Sequence, residues 1–355
     1  MLVNKGYCAG VLLVVLAVFL LPQGAPAGHL EPFSSAGEPA SNPGTPEKVE
    51  LGKMLFFDRR LSGDGTMSCA TCHIPDLGFG DGQAIGLNYP TTRNWRNTQT
   101  LINVAYQKFF FHDGRVESLE DQALFPIMSA FEMNQNLDYL EEEIRSVPEY
   151  LERFRQVFGS DDVNRERIAM AIAAFERTLV SRNAPLDRYL DGDDGALTPA
   201  AKRGLEVFTG KGKCVECHYG TALIDNRFHA LDVPEHPDFQ QDPRVAATRR
   251  FVAKVNHFEK FRTLEEDPGR YLITKRDEDW RAFRTPTLRD ISNTGPYMHN
   301  GIFETLEETI EFLDRGGAKS LAPLSLTAEE KADLVLFLEE GLTGEKLSVR
   351  PPRIP

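Results

Sequence analysis

The sequence of 355 residues lacks several features that would assign it to common classes of protein. It has no excess of basic residues, because 53 acidic residues outnumber 40 basic ones and the formal net charge is −13. Such a charge argues against nucleic acid as a partner and would attract a basic partner protein, although simple solubility explains it equally well. After residue 27, no apolar run approaches the ~20 residues that cross a bilayer, so no stable membrane span is expected.

Cysteine is scarce, and the spacing of the cysteines leaves none for a disulfide. Of the 5 cysteines, Cys8 lies near the N-terminus and the other four form two pairs. Each pair is followed at once by a histidine, in residues 69–73 (CATCH) and 214–218 (CVECH). A thioredoxin-like or zinc-binding pair would require a βαβ context or further spaced ligands, which the sequence does not offer.

Cys-x-x-Cys-His is the attachment motif of c-type haem. Both sulfurs form thioethers with the porphyrin, and the histidine becomes an axial ligand of the iron. The sequence therefore predicts two covalently bound haems. The attachment residues are Cys69, Cys72 and His73 for the first haem and Cys214, Cys217 and His218 for the second.

The first 27 residues have the pattern of an export signal. Lys5 gives a positive start, an apolar run covers residues 9–21, and small residues at 25–27 precede a cleavage site. An uncleaved anchor helix is the alternative, but the apolar run is shorter than the ~20 residues that span a bilayer comfortably. We therefore predict an exported protein that has lost this segment.

The remaining chain is long and apolar enough for two single-core domains. An extended leader is predicted at 28–46, and residues 225–284 are predicted to be irregular. Helical periodicity is present in several segments. These are 118–128, 136–146, 148–158, 163–181, a helix capped by Thr198 that runs toward Gly210, and two helices near 305–315 and 327–340.

This pattern predicts a mostly α fold with two cytochrome c-like helical domains, each carrying one haem. The Gly- and Asp-rich segment at 191–195 is the clearest break between them. The N-terminal domain would cover 47–190, with the C-terminal tail 341–355 as a possible addition. The C-terminal domain would cover 191–340.

The coordination of the first iron is suggested by a gap in the sequence. From Ile74 to Phe111 there is no His, Met or Cys, and Tyr89 and Lys108 are poor candidates for a ligand. A vacant position on the iron permits chemistry, whereas a filled position favours electron transfer. We therefore expect the first haem to be open to peroxide.

Longer motifs resemble the bacterial di-haem cytochrome c peroxidases and their relative MauG, from about residue 46 to 340. The motifs are 51–58 (LGKMLFFD), 68–73 (SCATCH), 96–98 (RNT), 113–115 (DGR), 118–122 (SLEDQ), Pro126, 283–289 (FRTPTLR) and 295–301 (GPYMHNG). The resemblance implies a periplasmic enzyme that reduces hydrogen peroxide with electrons from a small cytochrome c or cupredoxin. It also suggests a homodimer. The first domain would be peroxidatic and the second would transfer electrons.

The resemblance also implies a distal pocket over the first haem, formed by Gln122, Pro126 and Glu132. Heterolysis of the O–O bond needs a group that takes a proton from one oxygen and delivers it to the leaving one. Glu132 is the candidate for that role, although a glutamate outside this motif would more often be a solvated helix-end residue. Gln122 would orient the ligand, and Pro126 would shape the pocket.

A calcium ion between the domains is implied by the same resemblance. Its ligands would be the Asn97 side chain and the backbone carbonyls of Thr294 and Pro296, with water completing an oxygen shell. Three ordinary loop residues are the alternative interpretation.

The sequence departs from the family at three positions. His112 stands where a tryptophan usually lies between the haems, and it would serve either electron passage or a hydrogen bond to a haem propionate. Tyr89 replaces a removable histidine ligand, so activation by reduction is left open. Leu313 stands where the peroxidases have Met and MauG-like members have Tyr, so the second haem is either five-coordinate or bound by a neighbour such as Met298.

Two other functions remain open at this point. A MauG-like oxidase would use peroxide to oxidise Trp or Tyr residues of a partner protein. The absence of the Met and of the loop histidine favours this function, whereas the absence of the Tyr and of the Trp opposes it. An electron carrier or sensor without turnover would have both irons filled by protein ligands.

Overall fold

The computed structural model describes residues 29–90, 92–317 and 321–355. The predicted export signal at 1–27 lies outside these residues. The fold is mostly helical, and no helix within the described ranges is long and apolar enough to cross a membrane. The helices are α1 Pro46–Phe57, α2 Cys69–Cys72, α3 Leu119–Met128, α4 Leu137–Arg145, α5 Pro148–Phe158, α6 Arg165–Glu176, α7 Pro185–Leu190, α8 Pro199–Thr209, α9 Asp238–Gln241, α10 Pro243–Val255, α11 Tyr271–Thr274, α12 Leu306–Asp314 and α13 Ala328–Leu336.

Helix α1 packs closely against α6 in the N-terminal half. The Thr45 side chain caps α1, and Pro46 occupies its first turn. Gly52 allows the close approach, because a Cβ atom there would lie 1.8 Å from the carbonyl oxygen of Ala171 in α6. A larger residue at position 52 would therefore force the two helices apart.

Helix α8 packs against α13 in the same way in the C-terminal half. Thr198 caps α8, and Pro199 begins it, as the sequence predicted. A Cβ atom on Gly204 would lie 2.0 Å from the carbonyl oxygen of Asp333 in α13. Each half therefore contains one helix crossing that depends on a glycine.

Separate apolar clusters fill the two halves. One is built from α1 and α3–α6, and the other from α7, α8, α12 and α13. The ends of the chain cross between the halves, because Leu30 packs on the C-terminal cluster while Leu347, Val349 and Ile354 pack on the N-terminal clusters. The proposed domain limits remain a prediction.

The prediction that 225–284 is irregular was wrong in part. The segment contains α9, α10, α11 and two short strands, β1 Phe228–Ala230 and β2 Ala282–Arg284, which pair antiparallel. Helix α10 begins with an Asp242 cap and Pro243. Its buried face includes Arg249, which interrupts the apolar periodicity that would have indicated a helix.

A buried ion-pair network joins the two halves. The Arg96 guanidinium lies 2.6 Å from the Asp113 carboxylate and 2.7 Å from the carboxylate of Asp267. Gly114 then approaches Phe228 of β1 so closely that a Cβ atom would lie 2.3 Å from its ring. These contacts hold residues 96–114, which follow the first haem motif, against residues of the C-terminal half.

Candidate active site beside the first haem motif

The first haem motif forms the short helix α2 and the residue that follows it. The His73 amide donates to the carbonyl of Cys69, and its Nδ1 lies 2.9 Å from the carbonyl oxygen of Phe79. Burial lowers the pKa of His73, so the imidazole is neutral. With Nδ1 donating to a carbonyl, Nε2 is left as the ligand atom, which is the usual arrangement of a metal-binding histidine.

The second motif repeats this geometry. Residues Cys214–Glu216 form one helical turn, and the His218 amide donates to the Cys214 carbonyl. Nδ1 of His218 lies 3.0 Å from the carbonyl oxygen of Leu223, and burial lowers the pKa of His218. None of the four motif cysteines is paired in a disulfide. Both motifs therefore fit c-type haem.

A cavity adjoins the first motif. Cys69, Cys72 and His73 line it, so the predicted attachment atoms and the predicted axial ligand face one space. The predicted distal residues line the same cavity: Gln122, Pro126 and Glu132. The structure thus brings together residues from α2, from α3 and from the turn after α3.

Glu132 is half-buried at this cavity. Burial raises the pKa of its carboxyl, and the positive charge of Arg115 lowers it in part. Arg115 is itself held by Asp113 at 3.0 Å and lies over the Phe111 ring, 3.4 Å from the ring centre. The site therefore contains a carboxyl group that can hold a proton beside a fixed guanidinium.

Gln122 and Pro126 are linked through the geometry of α3. Pro126 lies inside the helix, and without an N–H it cannot donate the helical hydrogen bond to the carbonyl of Gln122. The side-chain Oε1 of Gln122 is buried and has no hydrogen-bond partner among the described residues. An unpaired buried acceptor is costly, so a donor from a bound molecule would stabilise it.

Comparisons with known proteins agree with this geometry. Residues 46–195 match the model of the family described as di-haem cytochrome c peroxidase. The cytochrome-c peroxidase IdrP1 of Pseudomonas sp. (strain SCT) is 42% identical over 92% of this chain and 89% of its own length. The chain belongs to the di-haem cytochrome c peroxidase family. The predicted family and the predicted class, a haem peroxidase among the oxidoreductases, are therefore confirmed.

MauG is a second relative of comparable similarity. The methylamine utilization protein MauG of Methylorubrum extorquens is 38% identical over 90% of this chain and 85% of its own length. The crystal structure of a MauG-like protein associated with microbial copper homeostasis has a TM-score of 0.74 and 28% identity, covering 92% of this chain and 95% of that one. Membership of the family implies two c-type haems.

Glu176 also lines the cavity beside the first motif, and it was not predicted from the sequence as a site residue. It lines the cavity from the end of α6, is 4% exposed, and its Oε2 has no partner within the described ranges. Burial raises its pKa to about 8. The sequence contained a signal for this position, because Glu176 lies four residues after Ile172 and three before Leu179 on the apolar face of the predicted helix.

Two methionines, Met67 and Met133, also line the cavity and were not predicted. Both are buried, and Met133 belongs to the N-terminal apolar cluster. Tyr89, at the position of the family's removable histidine, is not among the residues that line the cavity.

His112 lies at the edge of the same cavity. Its Nε2 is 3.0 Å from the carbonyl oxygen of Asn97, and its own carbonyl accepts the amide of Arg284 at 2.8 Å. Burial and the charge of Arg96 lower the pKa of His112 to about 3. The imidazole is therefore neutral, and Nε2 carries the proton that is donated to Asn97.

The predicted calcium residues belong to loops that pack together. The side-chain nitrogen of Asn97 donates to the Gln83 carbonyl at 2.7 Å, which leaves the side-chain oxygen for other partners. The backbone amide of Asn97 donates to the backbone carbonyl of His299 at 2.8 Å. Thr294 packs close to the loop at Gly78, and Pro296 is buried.

The surroundings of the second motif differ from those of the first. Leu313 is a half-buried residue of α12, and Met298 is half-buried with a φ of 72°. Ligand atoms of Cys217, Asp225 and His229 lie within 4.8 Å of one another. The predicted thioether would occupy the Cys217 sulfur, which leaves a His229–Asp225 ion pair, 2.7 Å long, beside the second motif.

Proposed function

We propose that this chain is a periplasmic enzyme that reduces hydrogen peroxide at the haem attached through Cys69 and Cys72. Electrons would arrive through the haem attached through Cys214 and Cys217. One observation carries the proposal: the cavity beside His73 is also lined by a carboxyl group, Glu132, which can accept a proton and return it.

The haem iron supplies the binding of peroxide and the exchange of electrons with it when the cofactor is present. The protein supplies the proton movement. The Glu132 carboxylate takes the proton of one peroxide oxygen and returns it to the other, so that the leaving oxygen departs as water. Two electrons and two further protons complete the reduction of one peroxide to two waters. Positioned proton transfer of this kind contributes ~10²–10⁴-fold to the rate of a reaction.

The neighbours of Glu132 tune this transfer. Arg115 keeps the carboxylate form accessible, because its charge opposes the effect of burial. The orphan Oε1 of Gln122 accepts a hydrogen bond from peroxide and orients it. Pro126 holds this turn of α3 open at the cavity wall.

His112 supports electron passage as a neutral bridge and does not itself become oxidised. Arg96 and Arg284 both place positive charge near it, which disfavours a further positive charge on the ring. The donor would be a small cytochrome c or cupredoxin with a basic surface, since the chain carries a net charge of −13.

Several further features complete the proposal. Because Tyr89 is not a cavity residue, the enzyme would need no reductive activation. A calcium ion bound by Asn97, Thr294 and Pro296 would stabilise the contact between the loops that carry them. The two domains would be those predicted above, and the mature protein would form a homodimer.

A MauG-like oxidation of Trp or Tyr residues in a partner protein is the second candidate. The relative named MauG and the MauG-like crystal structure favour it, as does Leu313, which cannot supply the Met ligand of a peroxidase. In this function the partner protein would reduce the enzyme from the side of the second haem.

A peroxide titration of the haem-loaded protein tests the two candidates. Rapid peroxide-dependent oxidation of reduced cytochrome c or cupredoxin is expected from the leading proposal. A long-lived oxidised state that is quenched by a protein partner, and not by these donors, would support the second candidate. Electron paramagnetic resonance of the resting protein counts its high-spin and low-spin irons. Two low-spin irons that ignore peroxide would contradict both functions.

A further inference from the structure

Within the part of the chain that the structure describes, four arginine side chains are almost completely buried, and they differ in their counter-ions. Their exposed fractions are 4% for Arg96, 1% for Arg249, 5% for Arg284 and 1% for Arg289. Arg96 is paired with two aspartates, as described above. Arg249 lies 2.6 Å from Glu235, and Arg289 lies 2.8 Å from Asp187.

Arg284 is the exception, because no carboxylate among the described residues pairs with it. Its Nη1 donates to the carbonyl of Thr285 at 3.1 Å, and its Nε lies 3.4 Å from the carbonyl oxygen of Phe111. Both acceptors are neutral. Burial alone lowers the pKa of Arg284 to about 10. A guanidinium has five donors, and an unpaired buried ion destabilises the folded protein, so an anion is expected beside Arg284.

The position of Arg284 identifies which anion can reach it. Arg284 ends β2, and its amide donates to the carbonyl of His112, which lines the first haem cavity. Three residues later, the Thr287 hydroxyl donates at 2.8 Å to the carbonyl of Ala222, in the loop that follows the second haem motif. Arg284 therefore lies between the two haem sites. Each attached haem would carry two propionate carboxylates, which are anions of the kind that a buried guanidinium binds.

We propose that Arg284 binds a haem propionate and neutralises it at the boundary between the two haem sites. The planar guanidinium matches a carboxylate with two parallel hydrogen bonds, which a lysine cannot reproduce. The inference rests on the two attached haems of the proposed function, but it is independent of peroxide turnover. The propionate can belong to either haem, since Arg284 contacts Phe111 and His112 at the first cavity while Thr287 contacts the loop after the second motif.

Spectroelectrochemical titration of the two haems in Arg284→Gln tests this assignment. Loss of a positive charge beside a propionate favours the more positive ferric iron, so the reduction potential of one haem falls. We expect at least a tenfold change in its redox equilibrium constant, which equals ~59 mV for a one-electron couple. The unpaired propionate would also titrate at higher pH, so the potential becomes pH-dependent in the neutral range.

Two further variants control for the loss of a buried cation. Arg284→Lys keeps the charge and is expected to restore most of the potential. Arg289→Gln removes another buried arginine, whose partner is Asp187, and is expected to shift neither haem by the tenfold criterion. If the reduction potential shifts for only one haem, that haem carries the propionate that Arg284 binds. A shift of either haem supports the assignment.

Unchanged potentials and unchanged pH dependence in haem-loaded Arg284→Gln would overturn the assignment. If that variant fails to retain haem, the natural protein gives the answer. Redox-difference infrared spectra with carbon-13-labelled propionates should show one propionate that stays ionised at a pH where the others take up protons. Simultaneous protonation of all propionates would contradict the proposal. Neither measurement requires peroxide reduction, so failure here is distinguishable from failure of the proposed function.

Discussion

The two haem motifs lie in closely similar local structures but face different surroundings. Both histidines donate from Nδ1 to a carbonyl, over 2.9 Å in the first motif and 3.0 Å in the second. Both halves also contain a helix that begins with Thr-Pro and crosses a later helix at a glycine, Gly52 or Gly204. The two halves therefore share the same local arrangement of motif histidine and glycine-crossed helix.

The halves differ in the groups placed near the haem. Beside the first motif, the cavity is lined by two carboxyl groups, Glu132 and Glu176. Ala171 in α6 and Asp333 in α13 occupy equivalent positions, because the carbonyl of each faces the crossing glycine of its own half. Five residues after these positions the first half has Glu176, whereas the second half has the apolar Leu338. A shared scaffold thus acquires different chemistry through residues outside the attachment motif.

The largest effect is expected from Glu132→Gln, which removes one of the two carboxyl groups beside the first motif. Without a carboxylate to move the proton, the reaction with peroxide should slow by ~10²–10⁴-fold. Stopped-flow spectroscopy of the variant with both haems attached measures this rate. Glu142→Gln, on the exposed surface of α4, is the matched control and should react like the natural protein. An equal rate in Glu132→Gln would remove the proposed distinction between the halves.

Alanine at the two crossing glycines tests the shared scaffold. Gly52→Ala and Gly204→Ala each bring a methyl group to within about 2 Å of a backbone carbonyl. We expect each to lower the free energy of unfolding by ~1–3 kcal/mol or more, because the packed helices must separate. Denaturant unfolding followed by circular dichroism measures the loss.

Gly37→Ala is the control for these two substitutions, since a Cβ atom at Gly37 meets nothing within 4 Å. It should leave the free energy of unfolding nearly unchanged. A large loss for one crossing glycine and none for the other would show that the two helix pairs are not equivalent.

The sequence predicted the parts of the molecule that are encoded locally. The periodicity of α3 to α6 and the Thr198 cap of α8 correspond to helices in the structure. The gathering of Gln122, Pro126 and Glu132 at one cavity was expected from resemblance to a family. No spacing rule would have given it, because Glu132 lies outside the haem motif and reaches the cavity through the turn after α3.

Features that depend on tertiary partners were not predictable. Helix α10 was missed because Arg249 occupies its buried face, and that arginine is tolerated only through Glu235 and the Phe239 ring. The sequence likewise gives no indication that Arg284 lacks a carboxylate while Arg289, five residues later, has one. Counter-ions of buried charges come from distant segments, which local patterns cannot reveal.

Glu176→Gln should change the pH dependence of stability in the first half. The folded chain holds the Glu176 proton up to a pKa of about 8, whereas the unfolded chain loses it near the ordinary value of 4.5. Between these values the folded state binds the extra proton, so the stability of the natural protein falls as pH rises. The neutral glutamine removes this fall, and the variant gains ~1.4 kcal/mol for each pH unit in the window.

Unfolding at several pH values, with Glu142→Gln as the control, measures the gain for Glu176→Gln. The difference between the variant and the natural protein should grow from pH 4.5 to about 8 and then level off. A constant difference across this window would show that Glu176 is ionised throughout, which would place a positive partner beside it.

The smallest expected effect concerns the two threonine caps. Thr45 accepts a hydrogen bond from the Lys48 amide at 3.3 Å, and Thr198 accepts one from the Ala201 amide at 3.2 Å. Thr→Ala at either position leaves that amide unpaired and should cost ~1 kcal/mol, whereas Thr→Ser keeps the oxygen and most of the stability. We expect the two alanine variants to lose equal free energy of unfolding, measured with denaturant. Each cap precedes a proline at the start of a helix that crosses another helix at a glycine. If only one alanine variant loses stability, the similarity of the halves is confined to the helix crossing and does not extend to the helix start.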